Sequence, residues 1–79
     1  MKLQILEKRQ NPDQSETYLI QVPRENVIHF GSILESLEGW VHYTTSDKKE
    51  SILTVEVIKD YRVKFAELLG MIQENFLKE

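Results

Sequence analysis

The sequence predicts an α+β two-layer sandwich with the element order ββαββα, and three observations carry that reading. Four short segments alternate apolar and polar residues with a period of two, as strands with one buried face do. Two longer segments carry apolar stripes at helical spacing, and clusters of turn residues separate the segments. At 79 residues, 41% hydrophobic and 29% charged, the chain holds one domain (1–79) and is apolar enough to fold.

The first strand pattern runs from Lys2 to Lys8, with Leu3 and Ile5 on one face and Gln4 and Leu6 on the other. The segment Arg9 to Glu16 is polar throughout, and Asn11-Pro12-Asp13 is a turn signal. Thr17 to Val22 is the second strand, with Tyr18, Ile20 and Val22 facing one way and Leu19 and Gln21 the other. Pro23 ends it and suits a helix start, since it lacks the amide that a first helical turn leaves unused.

From Arg24 to Glu38 the period becomes helical, because Val27, Phe30, Ile33, Leu34 and Leu37 fall in one stripe that leaves His29 outside. Gly39 suits the left-handed stop of that helix. Trp40 to Thr45 returns to alternation, with Val41 and Tyr43 on one face and Trp40, His42 and Thr44 on the other. Ser46 to Glu50 is a polar hairpin connection. Its partner strand, Ser51 to Ile58, groups Leu53, Val55 and Val57 and leaves Ile52, Thr54, Glu56 and Ile58 opposite. Asp60 suits the N-cap of the last helix, Tyr61, Phe65, Leu68, Leu69, Ile72 and Phe76 its buried stripe, and Lys78 its C-terminal dipole. Gly31 and Gly70 read as sites of close helix packing.

The portion from Tyr18 to Phe76 is β-α-β-β-α, the core of a split-βαβ, ferredoxin-like arrangement. A right-handed crossover places the fourth strand between the second and third. No residues remain for a final strand beside the second, and the first strand fills that place as a hairpin. The expectation is a permuted ferredoxin-like antiparallel sheet of order 1-2-4-3 with both helices on one face.

Two helices on one face leave the other uncovered. By alternation it carries Gln4, Leu6, Leu19, Gln21, Trp40, His42, Thr44, Ile52, Thr54, Glu56 and Ile58, a set too apolar for a wholly solvated surface. It reads as a dimer or partner interface or as one wall of a ligand pocket; the alternative is that loops and long side chains cover it. A domain this small buries only roughly 60% of its unfolded surface, which self-association would supplement. His42 and Glu56 share this face on strands expected to pair; a cross-strand polar contact explains them better than acid–base catalysis, since no nucleophile accompanies them.

Several function classes are disfavoured. A net charge of −3 opposes polyanion binding, and one expected aromatic on the open face is too few for RNA stacking, so no nucleic-acid partner is expected. With two His, no Cys and no ligand spacing, neither a metal nor a cofactor site is expected, and no phosphate loop or hydrolase motif occurs. The chain is read as not an enzyme. The N-terminal segment meets an acid at Glu7, too early for a signal-peptide core, and no apolar run approaches membrane length, so a cytoplasmic location without membrane contact is expected.

The runs Tyr18 to Asn26, Leu34 to Gly39 and Thr45 to Asp47 resemble a family of short bacterial proteins of unknown function, in which a strand ending in Val-Pro leads to a helix, a Glu-Gly cap and a hairpin. The resemblance implies a ferredoxin-like core and carries no catalytic residues. Leu37-Glu38-Gly39-Trp40 is more loosely similar to ACT-type regulatory domains, which share the βαββα core. That similarity implies association through sheets and amino-acid binding at an interface near Gly39 and Trp40, although the last strand and the acidic loop of those domains are missing. The expected function is a protein-association module, homodimeric or binding another protein, with an ACT-like small-ligand regulatory domain as the alternative.

Overall fold

The computed structural model of the chain describes residues 2–77. Its elements are β1 (Gln4–Gln10), β2 (Glu16–Gln21), α1 (Val27–Ser36), β3 (Val41–Asp47), β4 (Ile52–Val57) and α2 (Arg62–Leu77). The strands form one sheet of order β1-β2-β4-β3, antiparallel throughout, as the alternation and crossover rules require. This is the permuted split-βαβ sheet, with β1 in the place that a C-terminal strand would otherwise take.

One face of the sheet and the inner sides of both helices make the core. Tyr18, Ile20 and Val22 with Leu53, Val55 and Val57 supply the sheet side; Phe30 and Leu34 of α1 and Phe65, Leu69 and Ile72 of α2 close over them. Tyr18 meets Phe65 edge-on, ring centroids 5.4 Å apart. That geometry suits the quadrupoles of two aromatic rings. Ile5 was expected in this core, and its register beside Ile20 does place it on the helix-facing side. It is nevertheless 43% exposed, because α1 and α2 do not extend over the edge strand.

The turns are held by side chains. Asp13 accepts bonds from the Ser15 amide (3.0 Å) and hydroxyl (2.6 Å), and those two bonds hold its carboxyl below the usual range. Asn11 donates to the Ser15 and Thr17 hydroxyls, which closes the β1–β2 hairpin. In the β3–β4 turn Asp47 accepts from the Glu50 amide, Gln21 donates to the Glu50 carbonyl at 3.0 Å, and Ser51 takes a φ of 57°.

Three expectations about helix ends and glycines change. Asp60 is not the N-cap of α2: it lies inside a 3-10 turn, Lys59–Tyr61, that leads into the helix without a side-chain cap. The first helix likewise begins with a 3-10 turn, Arg24–Asn26, after Pro23. Gly39 has the expected left-handed φ of 86°, and Gly31 lies beside the Tyr43 hydroxyl, where an added Cβ would be 3.5 Å away. Gly70 does not serve packing, for a Cβ there would meet nothing within 4 Å. The Phe76 side chain and Lys78 lie outside the described residues.

The two exposed glycines therefore differ in sign. Gly70→Ala in the middle of α2 is expected to stabilise the fold by about 0.5–1 kcal/mol, since only the conformational freedom of glycine is lost. Gly39→Ala is expected to destabilise it by about 1–2 kcal/mol because the left-handed φ strains any side chain. Urea denaturation of both variants checks this; a Gly70→Ala midpoint at or below that of the parent would contradict it.

Candidate functional site

Strand pairing defines the uncovered face row by row, because residues directly opposite on neighbouring strands share a side. One row is Gln4, Gln21, Ile52 and Asp47; the middle row is Glu7, Leu19, Thr54 and Thr44; the third is Arg9, Thr17, Glu56 and His42. None of these residues is buried. The apolar part is a band in which Leu6 of β1 neighbours Leu19 of β2 and Ile52 of β4 lies diagonal to Leu19, extended by the methyl groups of Thr54 and Thr44. Leu6 is 44% exposed, while Leu19 and Ile52 are half-covered by their neighbours.

Two register shifts shape the face. The ladder slips between Ile5 and Glu7, leaving Leu6 bulged, and again between Thr45 and Asp47, leaving Ser46 bulged. Beyond the first bulge the parity of β1 reverses. Glu7 and Arg9 come to the open face, where Arg9 approaches Glu7 at 3.7 Å, and Lys8 turns to the other side, 5.6 Å from the centre of the Tyr18 ring. Ser46 keeps the open-face side of His42 and Thr44 and shares a hydrogen bond with the Thr54 hydroxyl, while the bulge brings Asp47 to the same face opposite Ile52. The sequence shows no signal for either bulge, so Glu7, Arg9 and Asp47 were not among the expected residues of this face; Thr17 and Ser46 follow the ordinary alternation of Leu19 and Thr44 but lie at a strand end and in what reads as the hairpin connection.

Trp40 was the one aromatic expected on this face, and the structure moves it. Trp40 precedes β3, its amide donates to the Leu37 carbonyl, and its ring lies parallel to Tyr61, 4.8 Å between centroids and 6° between planes. It packs on the helix layer with the core, and Lys64 lies 5.9 Å from each ring of the stacked pair. Strand alternation governs residues inside the ladder; Trp40 follows the left-handed turn at Gly39 and escapes it. Tyr61, in the 3-10 turn before α2, supplies the apolar surface that draws the indole across. A shallow groove of about 250 Å³ results, lined by Leu37, Trp40, Lys64, Glu67, Leu68 and Met71. Ile58 is half-buried one residue past β4, at the corner where its amide donates to the Trp40 carbonyl.

His42 and Glu56 do stand directly opposite each other, but among the described residues no hydrogen bond or ion pair joins their side chains. No group of three or more His, Asp or Glu able to hold a metal occurs among the described residues, and no helix there is long and apolar enough to cross a membrane. On the helix side of the sheet, burial and then the Glu35 carboxylate hold the Tyr43 phenol above its ordinary range. The chain matches no protein-family model, no curated protein and no solved structure.

Tyr18 gives this sheet a measurable alkaline limit. Its phenol is pushed up to about 12 by burial first and by neighbouring Glu16 second. The unfolded chain ionises near the ordinary value of 10.0 and the folded chain later, so ionisation favours unfolding across that interval. Stability contributed by neutral Tyr18 is present below pH 10 and is lost as the pH rises towards about 12. Urea midpoints of the parent should fall over this interval more steeply than those of Tyr18→Phe; equal slopes would remove the assignment.

Proposed function

We propose that this chain is a non-enzymatic association module whose contact surface is the open sheet face and whose partner is a second copy of itself. The observation that supports it is the apolar band of Leu6, Leu19 and Ile52 on a face that neither helix covers. Its surroundings suit an interface, since polar residues flank the apolar ones, with Gln4, Gln21 and Asp47 in the row of Ile52 and Arg9, Glu56 and His42 at the other end. Both signs of charge lie on that rim. A two-fold contact, in which one patch meets itself, is therefore not opposed by uniform like charge.

Area sets the strength. Four strands about 4.8 Å apart and about 20 Å long give a projected face of ~400 Å², hence roughly 800 Å² for two before side-chain relief is added. Stable specific interfaces begin near 1,000–1,200 Å², so a micromolar dimer is expected rather than a nanomolar one. Zero cysteines favour the cytoplasm as the location.

Sedimentation equilibrium at about 100 micromolar, well above the Kd expected for this area, should show a dimer. Leu19→Glu should leave a folded monomer, because it places a charge in the middle row without touching the core. Trp40→Ala, which acts on the helix layer, should leave the dimer in place. A parent that sediments only at 9.3 kDa, or a Leu19→Glu variant that still dimerises, would refute the reading.

One observation favours the second reading, an ACT-like amino-acid-binding domain: the groove at Trp40 lies beside Gly39 and carries both Lys64 and Glu67, charges opposite to the two ends of a zwitterion. A thermal-shift screen of the common amino acids should raise the Tm in proportion to RT ln(1 + [L]/Kd) if that site is used, and Lys64→Gln should abolish the rise. A flat screen eliminates it.

A further inference from the structure

At the end of the sheet opposite Trp40 lies an open depression of about 310 Å³ where three chain segments converge. Lys2 comes from the segment before β1, Arg24 from the turn that opens α1, and Lys49 from the β3–β4 turn. Glu50 is the one acid among the lining residues. In a chain with thirteen acids and ten cations, four charged side chains taken without selection would be acidic on balance. Here the local charge is three positive against one negative, and none of the three cations forms an ion pair among the described residues.

The backbones that carry these cations are fixed. Lys49 sits in a turn closed by the Glu50 amide on Asp47, by the Gln21 side chain on the Glu50 carbonyl and by the Val22 amide on the Ser51 carbonyl. Ser51 itself is buried at a φ of 57°. Arg24 follows Pro23, whose ring fixes its own φ at −53°, and the Asn26 amide closes that turn on the Pro23 carbonyl. Lys2 precedes Leu3, which is buried in the core. Three exposed like charges thus line one small depression, with one carboxylate to offset them. An anion in the depression relieves that repulsion.

We infer that this depression binds a small phosphate-bearing molecule. The net local charge of two positive matches a phosphate dianion of about −1.5 to −2 and exceeds what a single carboxylate would neutralise. The Arg24 guanidinium provides the planar fork that phosphate oxygens accept in pairs, and the two lysines provide point charges. The depression is at the small end of ligand sites in volume and open on one side, which suits a phosphate carrying a small body. Gln4, Gln21 and Ser51 supply polar partners for that body, and no aromatic ring lines the depression to stack a base. The class is therefore a phosphorylated polyol or small sugar rather than a nucleotide.

This site adjoins one end of the contact face proposed above and shares Gln4 and Gln21 with its rim, so its test reads individual residues, Arg24 and Lys49 among them, rather than assembly. Amide spectra of the labelled protein are recorded during titration with inorganic phosphate, glycerol phosphate and adenosine monophosphate at constant ionic strength. Shifts are expected at Gln21, Arg24 and Lys49 to Ser51, with glycerol phosphate binding at least as tightly as the nucleotide. Arg24→Gln and Lys49→Gln should each weaken binding about tenfold, while Lys64→Gln in the distant groove leaves it unchanged. Absence of shifts with all three probes, equal shifts with sodium chloride, or undiminished binding in the double variant would overturn the inference. Tighter binding of the nucleotide would overturn the assigned ligand class. Saturation by inorganic phosphate with no gain from glycerol phosphate would restrict the site to the bare anion and refute the ester.

Discussion

Phe30 from α1 and Phe65 from α2 are wholly buried against one face of the sheet, and the rest of the architecture follows from that one-sided seal. Burying a Phe side chain contributes about 1.5–3 kcal/mol, so these two rings and the aliphatic strand residues beneath them dominate what a domain of this size gains on folding. Two helices suffice to cover the middle of a four-stranded sheet from one side. They do not cover Ile5 on the edge strand, and among the described residues no helix lies across the opposite face. The open face, the thin edge and the apolar band around Leu19 are three expressions of the same shortage of covering residues.

The two sheet edges handle their unpaired backbone groups differently. β1 is exposed along its length, but it is bulged at Leu6 and carries Glu7, Lys8 and Arg9 in succession, features that discourage a further strand from adding there. β3 keeps a regular ladder from Val41 to Thr45 and bulges only at Ser46. Tyr43 of that strand is tied back to α1 by its bond to Glu35. The guarded edge thus lies next to the strand bearing Leu19.

Strand order, helix faces and nearly all of the core were legible in the sequence because they depend on periodicity, and periodicity survives in a single chain. Tyr18, Ile20 and Val22 had to share a face, and a right-handed crossover then put β4 between β2 and β3. What was not legible depends on local geometry that periodicity cannot encode. A bulge at Leu6 shifts parity without any residue that marks it, so Glu7 and Arg9 moved to the open face unannounced. Trp40 obeyed the partner it found in Tyr61 and not the alternation of the strand that follows it. Asp60 has the chemistry of a cap, but the chain turns through a 3-10 segment first and the helix begins beyond it. The depression between Lys2, Arg24 and Lys49 joins residues far apart in the chain, and it becomes visible only when β1 takes its place beside β2.

That place has a kinetic meaning. Gln10 pairs with Glu16 across a single turn, and Asp47 with Ile52 across another, so two of the three strand contacts form between near neighbours in the chain. Only the β2–β4 ladder, from Glu16 opposite Val57 to Gln21 opposite Ile52, requires a long loop to close. A sheet completed by a C-terminal strand would need a second such closure, spanning almost the whole chain. Putting the edge strand at the N-terminus replaces it with a hairpin, lowers the mean sequence separation of contacts and confines the slow step of folding to one joint at the centre of the sheet.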